Sequence, residues 1–168
     1  MKFSVFALLL MFSVNAFAIS VGTVDIQKVM FNVKEGKKVA TQLESTFKKK
    51  KSELQKERDD LMKEEKKFNK QSSVLSGDAK SKKREALQKK FVGLQEKSLK
   101  YQKEMQDMEN KLKKPLVDRV RGIITDVSKS SKVDLTVTNA AMLLYAANEV
   151  DLTDKVIKAY DKKYPVKK

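Results

Sequence analysis

Ammonium groups and carboxylates are the side chains present in quantity that could do chemistry here. The 168 residues include 37 Lys and Arg and 22 Asp and Glu, with no His and no Cys. Without imidazole or thiolate, most nucleophile–base pairs, the usual zinc ligands and haem attachment are excluded. Carboxylate chemistry stays formally open. The five glycines are scattered, so no loop of them cradles a phosphate. No catalytic residue, cofactor or metal is expected, and the chain reads as a non-enzyme. What such charge can do is bind. A formal net charge of +15 favours acidic partners such as lipid headgroups, nucleic acid or acidic polypeptides, while the plainer reading is a solvated lysine-rich surface. The candidate electrostatic contacts are Lys48, Lys49, Lys50, Lys51, Lys111, Lys113 and Lys114. The candidate apolar contacts are Met62, Val92 and Leu99, which stand outside the apolar repeat described next; single exposed apolar residues are also ordinary.

That repeat decides where these residues sit. Phe47, Leu54, Leu61, Phe68 and Leu75 recur one heptad apart. Leu87, Leu94, Tyr101 and Met108 do the same later, beside a second track of Phe91, Ser98, Met105 and Leu112. Sustained heptads with charges between them predict a coiled coil. Ser76-Gly77-Asp78 interrupts the pattern and predicts a fold-back. The first helix, Lys37 to Leu75, is roughly 60 Å long at 1.5 Å per residue. It carries one apolar track, and the track before it (Lys51, Arg58, Glu65, Ser72) is polar. The return helix, from Lys80 to about Ser128, carries two. Antiparallel pairing then sets Phe68 opposite Leu94 and Phe91, and Leu54 opposite Met108 and Met105, with position numbers adding to 162 or 159.

The ends read differently. Lys2, the apolar run Phe3 to Val14 and Ala16-Phe17-Ala18 have the form of an export signal cleaved after Ala18. The run is shorter than the ~20 residues that span a bilayer. Val21, Val24 and Ile26 predict a short strand leading into a helix. Val133 to Thr138 alternates as a strand with Val133, Leu135 and Val137 inward. Met142 to Ala146 is a further apolar run. Thr153 is expected to cap a helix that buries Val156, Ile157 and Tyr160. Pro115 marks either a kink or the start of a new helix.

The expected fold is α+β: a long antiparallel helical coiled-coil hairpin projecting from a small β body assembled by oligomerisation. Its parts are a signal peptide (1–18), a discontinuous body (19–36 and 115–168) and an arm (37–114) that turns near 76–79. Three short strands and a short helix bury little area alone, so pairing between subunits is expected.

These features meet in one family. Val24-Asp25-Ile26-Gln27-Lys28-Val29, the charged helical pair, Val133-Asp134-Leu135-Thr136-Val137, Leu144-Tyr145-Ala146 and Val150-Asp151-Leu152-Thr153-Asp154-Lys155-Val156 resemble the Skp/OmpH family of periplasmic chaperones. The resemblance covers the mature chain, and its last block is the most specific part. It implies a periplasmic homotrimer whose strands form a barrel-like body and whose arms surround a cavity. Unfolded outer-membrane proteins would be held there without ATP. It also brings in the anionic membrane surface and lipopolysaccharide as partners. A lipopolysaccharide site is not carried over, because Asp107 and Met108 stand where some members have adjacent arginines, with Lys111, Lys113 and Lys114 slightly later. Asn139-Ala140-Ala141 lacks the family's frequent acidic residue at that turn. The alternative function is an envelope scaffold or adaptor that binds a dedicated partner. The export signal argues against a nucleic-acid partner.

Overall fold

The computed structural model describes residues 19–138 and 143–166. The expected export signal and the Asn139-Ala140-Ala141 turn lie outside them, as does Met142 of the later apolar run. The chain begins with β1 (Val21–Thr23) and passes into α1 (Ile26–Asn32), where the Lys28 N–H donates to Asp25 Oδ1 at 2.8 Å and caps the helix. Val33 is extended and ends α1. The long helix α2 (Lys34–Gln71) follows at once. Val33 offers it no side-chain cap, but the Lys34 N–H donates to Asp161 Oδ1 at 2.9 Å. A second long helix, α3 (Gly77–Ser130), returns antiparallel to it. Ser76 accepts from the Ala79 N–H, so Ser76 caps α3 and Gly77 is already helical. Two short strands, β2 (Leu135–Val137) and β3 (Glu149–Asp151), precede α4 (Thr153–Lys163).

The sheet is parallel and open, in the order β2-β1-β3. Gly22 pairs with Thr136 on one side and Val150 on the other. Gly22 must lack a side chain: a Cβ there would sit 2.8 Å from Leu152 Cδ1 and 3.1 Å from Thr136 Oγ1. The core gathers Val24, Val29 and Val33 against Leu116, Val120 and Ile123 of α3, and against Leu152, Val156 and Tyr160 beside and along α4. These positions on α3 and α4 recur at three- and four-residue spacing, which presents one apolar stripe to one core.

The fold class differs from expectation. Helices of 7, 38, 54 and 11 residues stand against three strands of three residues each, so the described residues form a mostly helical bundle of four helices with a small open sheet. It is neither a coiled-coil hairpin nor a closed β body. An interdigitated coiled-coil seam buries its apolar track. Along the paired lengths of α2 and α3, Phe68 is buried, but Phe47 and Phe91 remain about half exposed at 54% and 49%. The cause is the single apolar track of α2, which cannot fill both sides of the junction.

Smaller differences have equally local causes. Leu135, expected to face inward, is 54% exposed; Thr136 turns to the core side and shares a 2.7 Å hydrogen bond with Ser128. Thr153 is the first residue of α4 and not its cap. Its N–H donates to Asp151 Oδ1 at 2.8 Å, while its hydroxyl accepts from the Asp25 N–H at 3.0 Å and ties α4 to the start of α1. Pro115 lies inside the continuous α3, so no new helix starts there. Val156 and Tyr160 are fully buried, as their spacing required.

Candidate interaction surface

A ladder of polar side chains closes one flank of the α2–α3 pair. Lys50 meets Glu104, Glu57 meets Lys97, and Glu64 meets Lys90. Between them the Tyr101 hydroxyl donates to Glu53 at 2.6 Å, and Lys50 Nζ stands 3.8 Å from the Tyr101 ring centroid. In all four pairs the two position numbers add to 154. The observed flank register thus lies five to eight residues, roughly one and a half to two turns, from the seam register read from the heptads. The partners tune one another. The bond from Tyr101 holds the Glu53 carboxyl below its ordinary value, and the same bond raises the phenol. Lys50 lowers Glu104, and Glu57 raises Lys97. These bonds favour the charged Glu53 and Glu104 carboxylates, the Lys97 ammonium and the neutral Tyr101 phenol.

The opposite flank has no such closure. A groove of about 910 Å³ opens toward that side, floored by Phe47, Leu54, Leu61, Leu94 and Met105, with Lys50 and Tyr101 of the ladder also lining it. Its α2 rim carries Lys51 and Arg58, and its α3 rim carries Gln95 and Gln102. Helical rotation explains the asymmetry. Lys50, Glu57 and Glu64 fall on one side of the Leu54–Leu61 track, whereas Lys51, Arg58 and Met62 fall on the other.

The structure scatters the candidate contacts. Met62, 46% exposed, lies in the groove wall. Val92 and Leu99 are exposed and do not line the groove; their spacing from Leu94 places them on the far side of α3. Lys50 belongs to the ladder and also lines the groove, and Lys51 lies on the rim. Lys48 pairs with Glu44 at 2.6 Å, and Lys113 pairs with Glu109 at 2.5 Å. Lys49, Lys111 and Lys114 are exposed. The sequence reading missed Arg58, Gln95 and Gln102 as rim residues. The signal was available: Lys51 and Arg58 follow the apolar track at a fixed offset, and Gln95 and Gln102 are one heptad apart.

The root of the long helices is fixed by another cluster. Arg119 of α3 and Tyr160 of α4 both donate to Glu35, in the first turn of α2. Burial, and then the bond to Glu35, push the Tyr160 phenol upward. Tyr164 packs on Tyr160 with ring centroids 5.0 Å apart, and Arg119 lies 5.3 Å from the Tyr164 ring. Nearby, a Cβ at Gly36 would overlap the Met30 carbonyl oxygen, so only glycine lets α1 and α2 approach this closely.

Among the described residues, no group of carboxylates is placed to hold a metal ion, and no helix is long and apolar enough to cross a membrane. The comparison with curated proteins yields no match. A crystal structure of a candidate outer membrane chaperone (OmpH-like) from Caulobacter crescentus is similar, with a TM-score of 0.72 and 22% identity, over 90% of this chain and 88% of that one. At that identity the likeness speaks to the fold. The profile of the family described as "Outer membrane protein (OmpH-like)" matches residues 20–160, which takes in every element from β1 to most of α4. The chain belongs to the Skp/OmpH family, whose members are periplasmic chaperones and not enzymes.

Proposed function

We propose that the protein is an ATP-independent holdase that encloses unfolded outer-membrane proteins and keeps them from aggregating on their way through the periplasm. The observation that carries this is the apolar seam left half uncovered along two long charged helices, in a chain of a chaperone family. A β-barrel precursor exposes apolar strands and unpaired edges that pair with neighbouring copies. Many weak apolar contacts hold such a chain without an energy source, and the excess of lysine draws acidic clients from a distance.

In this proposal the chain divides into a body, residues 19–36 and 115–168, and an arm, residues 37–114. The body assembles as a homotrimer. Two features support assembly: among the described residues β2 and β3 have no strand on their outer edges, and Leu144, Tyr145 and Val150 are exposed. Met62, Val92 and Leu99 are proposed as client contacts, with Lys48 to Lys51, Lys111, Lys113 and Lys114 as electrostatic ones. Lipopolysaccharide or the anionic membrane surface would meet the same lysines.

Native mass spectrometry of the mature chain, alone and mixed with a urea-unfolded outer-membrane barrel protein in ATP-free buffer, tests this. A trimer that takes up one client chain is expected. A monomer that takes up none would overturn the proposal and favour an adaptor with a dedicated partner.

A further inference from the structure

We propose that the open groove between α2 and α3 is a docking site for one extended, apolar-and-acidic segment of an unfolded polypeptide. This rests on the holdase reading and names the site within one arm where a client segment lies. Lys50–Glu104, Glu57–Lys97 and Glu64–Lys90 latch the flank away from Lys51 and Arg58, and Lys50 and Tyr101 of that ladder also line the groove.

Three properties of the groove select its occupant. First, its apolar lining from Phe47 to Met62 runs fifteen residues along α2, or about 22 Å, which matches about seven residues of extended chain. Met62 and Met105 supply unbranched, polarizable surface that adapts to different side chains. Second, the Gln95 and Gln102 side chains make no hydrogen bond among the described residues. An amide both donates and accepts, which suits free peptide N–H and C=O groups of any sequence. A helical occupant satisfies its own backbone and would leave those amides without partners. Third, Lys51 and Arg58 on the facing rim have no ion pair among the described residues. Glu65 and Glu109 stand toward the two ends of the groove, and Glu109 is already held by Lys113. The middle of the groove is therefore cationic and complements a carboxylate of the occupant.

The test uses the full mature protein and three fluorescent nine-residue peptides. One alternates Val, Leu and Phe with Asp and Ser, one has Lys in place of each Asp, and one is an acidic amphipathic peptide with a helix-locking staple. The Asp strand peptide is expected to bind at least tenfold more tightly than either of the others. Met62→Asp and Arg58→Glu each lower that affinity about tenfold, and Arg58→Glu improves binding of the Lys peptide. Lys56→Glu, two residues past Leu54 on the outward side of α2, leaves binding unchanged. Circular dichroism checks that each variant keeps the parent helicity. Equal binding of the stapled helix would overturn the extended occupant, and unchanged affinity in both groove variants would overturn the site. If the parent protein still suppresses aggregation of a barrel precursor in either case, the holdase reading stands while the groove assignment fails. Loss of suppression in the parent itself would remove both.

Discussion

Arg119 and Glu35 meet across the root of the two long helices, one guanidinium nitrogen donating to both carboxylate oxygens at 2.7 and 2.9 Å. The Tyr160 hydroxyl completes the junction with a 2.6 Å bond to Glu35 Oε2. Three helices are thereby joined at one carboxylate: α2 through Glu35, α3 through Arg119 and α4 through Tyr160. The joint sets the direction in which the long helices leave the core. Tyr160→Phe keeps the buried ring and removes one hydrogen bond to a charged group, which costs about 1.5 kcal/mol. Urea denaturation is expected to show that loss with an unchanged m-value. An unaltered midpoint would mean that the hydroxyl contributes nothing to the joint.

Two glycines predict opposite signs. Gly36→Ala forces a Cβ onto the Met30 carbonyl oxygen, and the α1–α2 corner must open, at a cost of about 2 kcal/mol. Gly93→Ala meets no atom within 4 Å in the middle of an exposed helix, and is expected to stabilise by about 0.8 kcal/mol. Thermal melts of the two variants should move in opposite directions. An unchanged or raised melting temperature for Gly36→Ala contradicts the close approach at Gly36.

The polar ladder gives the molecule a pH window. Glu53 and Glu104 have lowered values when folded, so their contribution is present above the ordinary glutamate range and is lost as pH falls through about 4 and below. Lys97 and Tyr101 have raised values, so theirs is present below about pH 10 and is lost as pH rises beyond it. Melting temperature should therefore be flat through neutral pH and fall at both ends. Glu53→Gln combined with Glu104→Gln should flatten the acid limb. An acid limb as steep as the parent's would show that these two carboxylates are not its source.

Val92 and Leu99 probe a surface that the groove does not use. Both are exposed, so Val92→Asp with Leu99→Asp should shift stability by no more than about 0.5 kcal/mol per site. Protection of an aggregating barrel precursor is expected to fall several-fold. Full protection by the double variant would remove these two residues from client contact.

Much of the molecule was legible from residue spacing. Val156 and Tyr160 announced a buried helical face, and the alternation from Val133 located β2. The two long helices were visible because their apolar residues recur one heptad apart. What spacing could not convey was closure. Heptads state which residues face a neighbour, but not whether that neighbour fills the gap, and one apolar track on α2 left Phe47 and Phe91 half in water. The predicted register came from apolar residues alone, whereas Tyr101 with Glu53 and Lys50 with Glu104 align the flank. Leu135 was misplaced for a related reason. Alternation put Val133, Leu135 and Val137 on one face; Val133 does pack against the core, but Thr136 finds a hydroxyl partner in Ser128 and Leu135 is left exposed. The groove rim escaped notice because glutamine, lysine and arginine on a helix surface read as solvent-facing until both helices are in place.

The central claim is that this chain shields unfolded barrel proteins without an energy source. Light scattering, recorded while a urea-unfolded outer-membrane barrel protein is diluted into ATP-free buffer with and without the mature chain, tests it most directly. The account predicts that scattering stays near baseline at a threefold molar excess of the chain, and that protection weakens as salt rises toward 1 M. Scattering that grows as fast with the chain as without it would contradict the account.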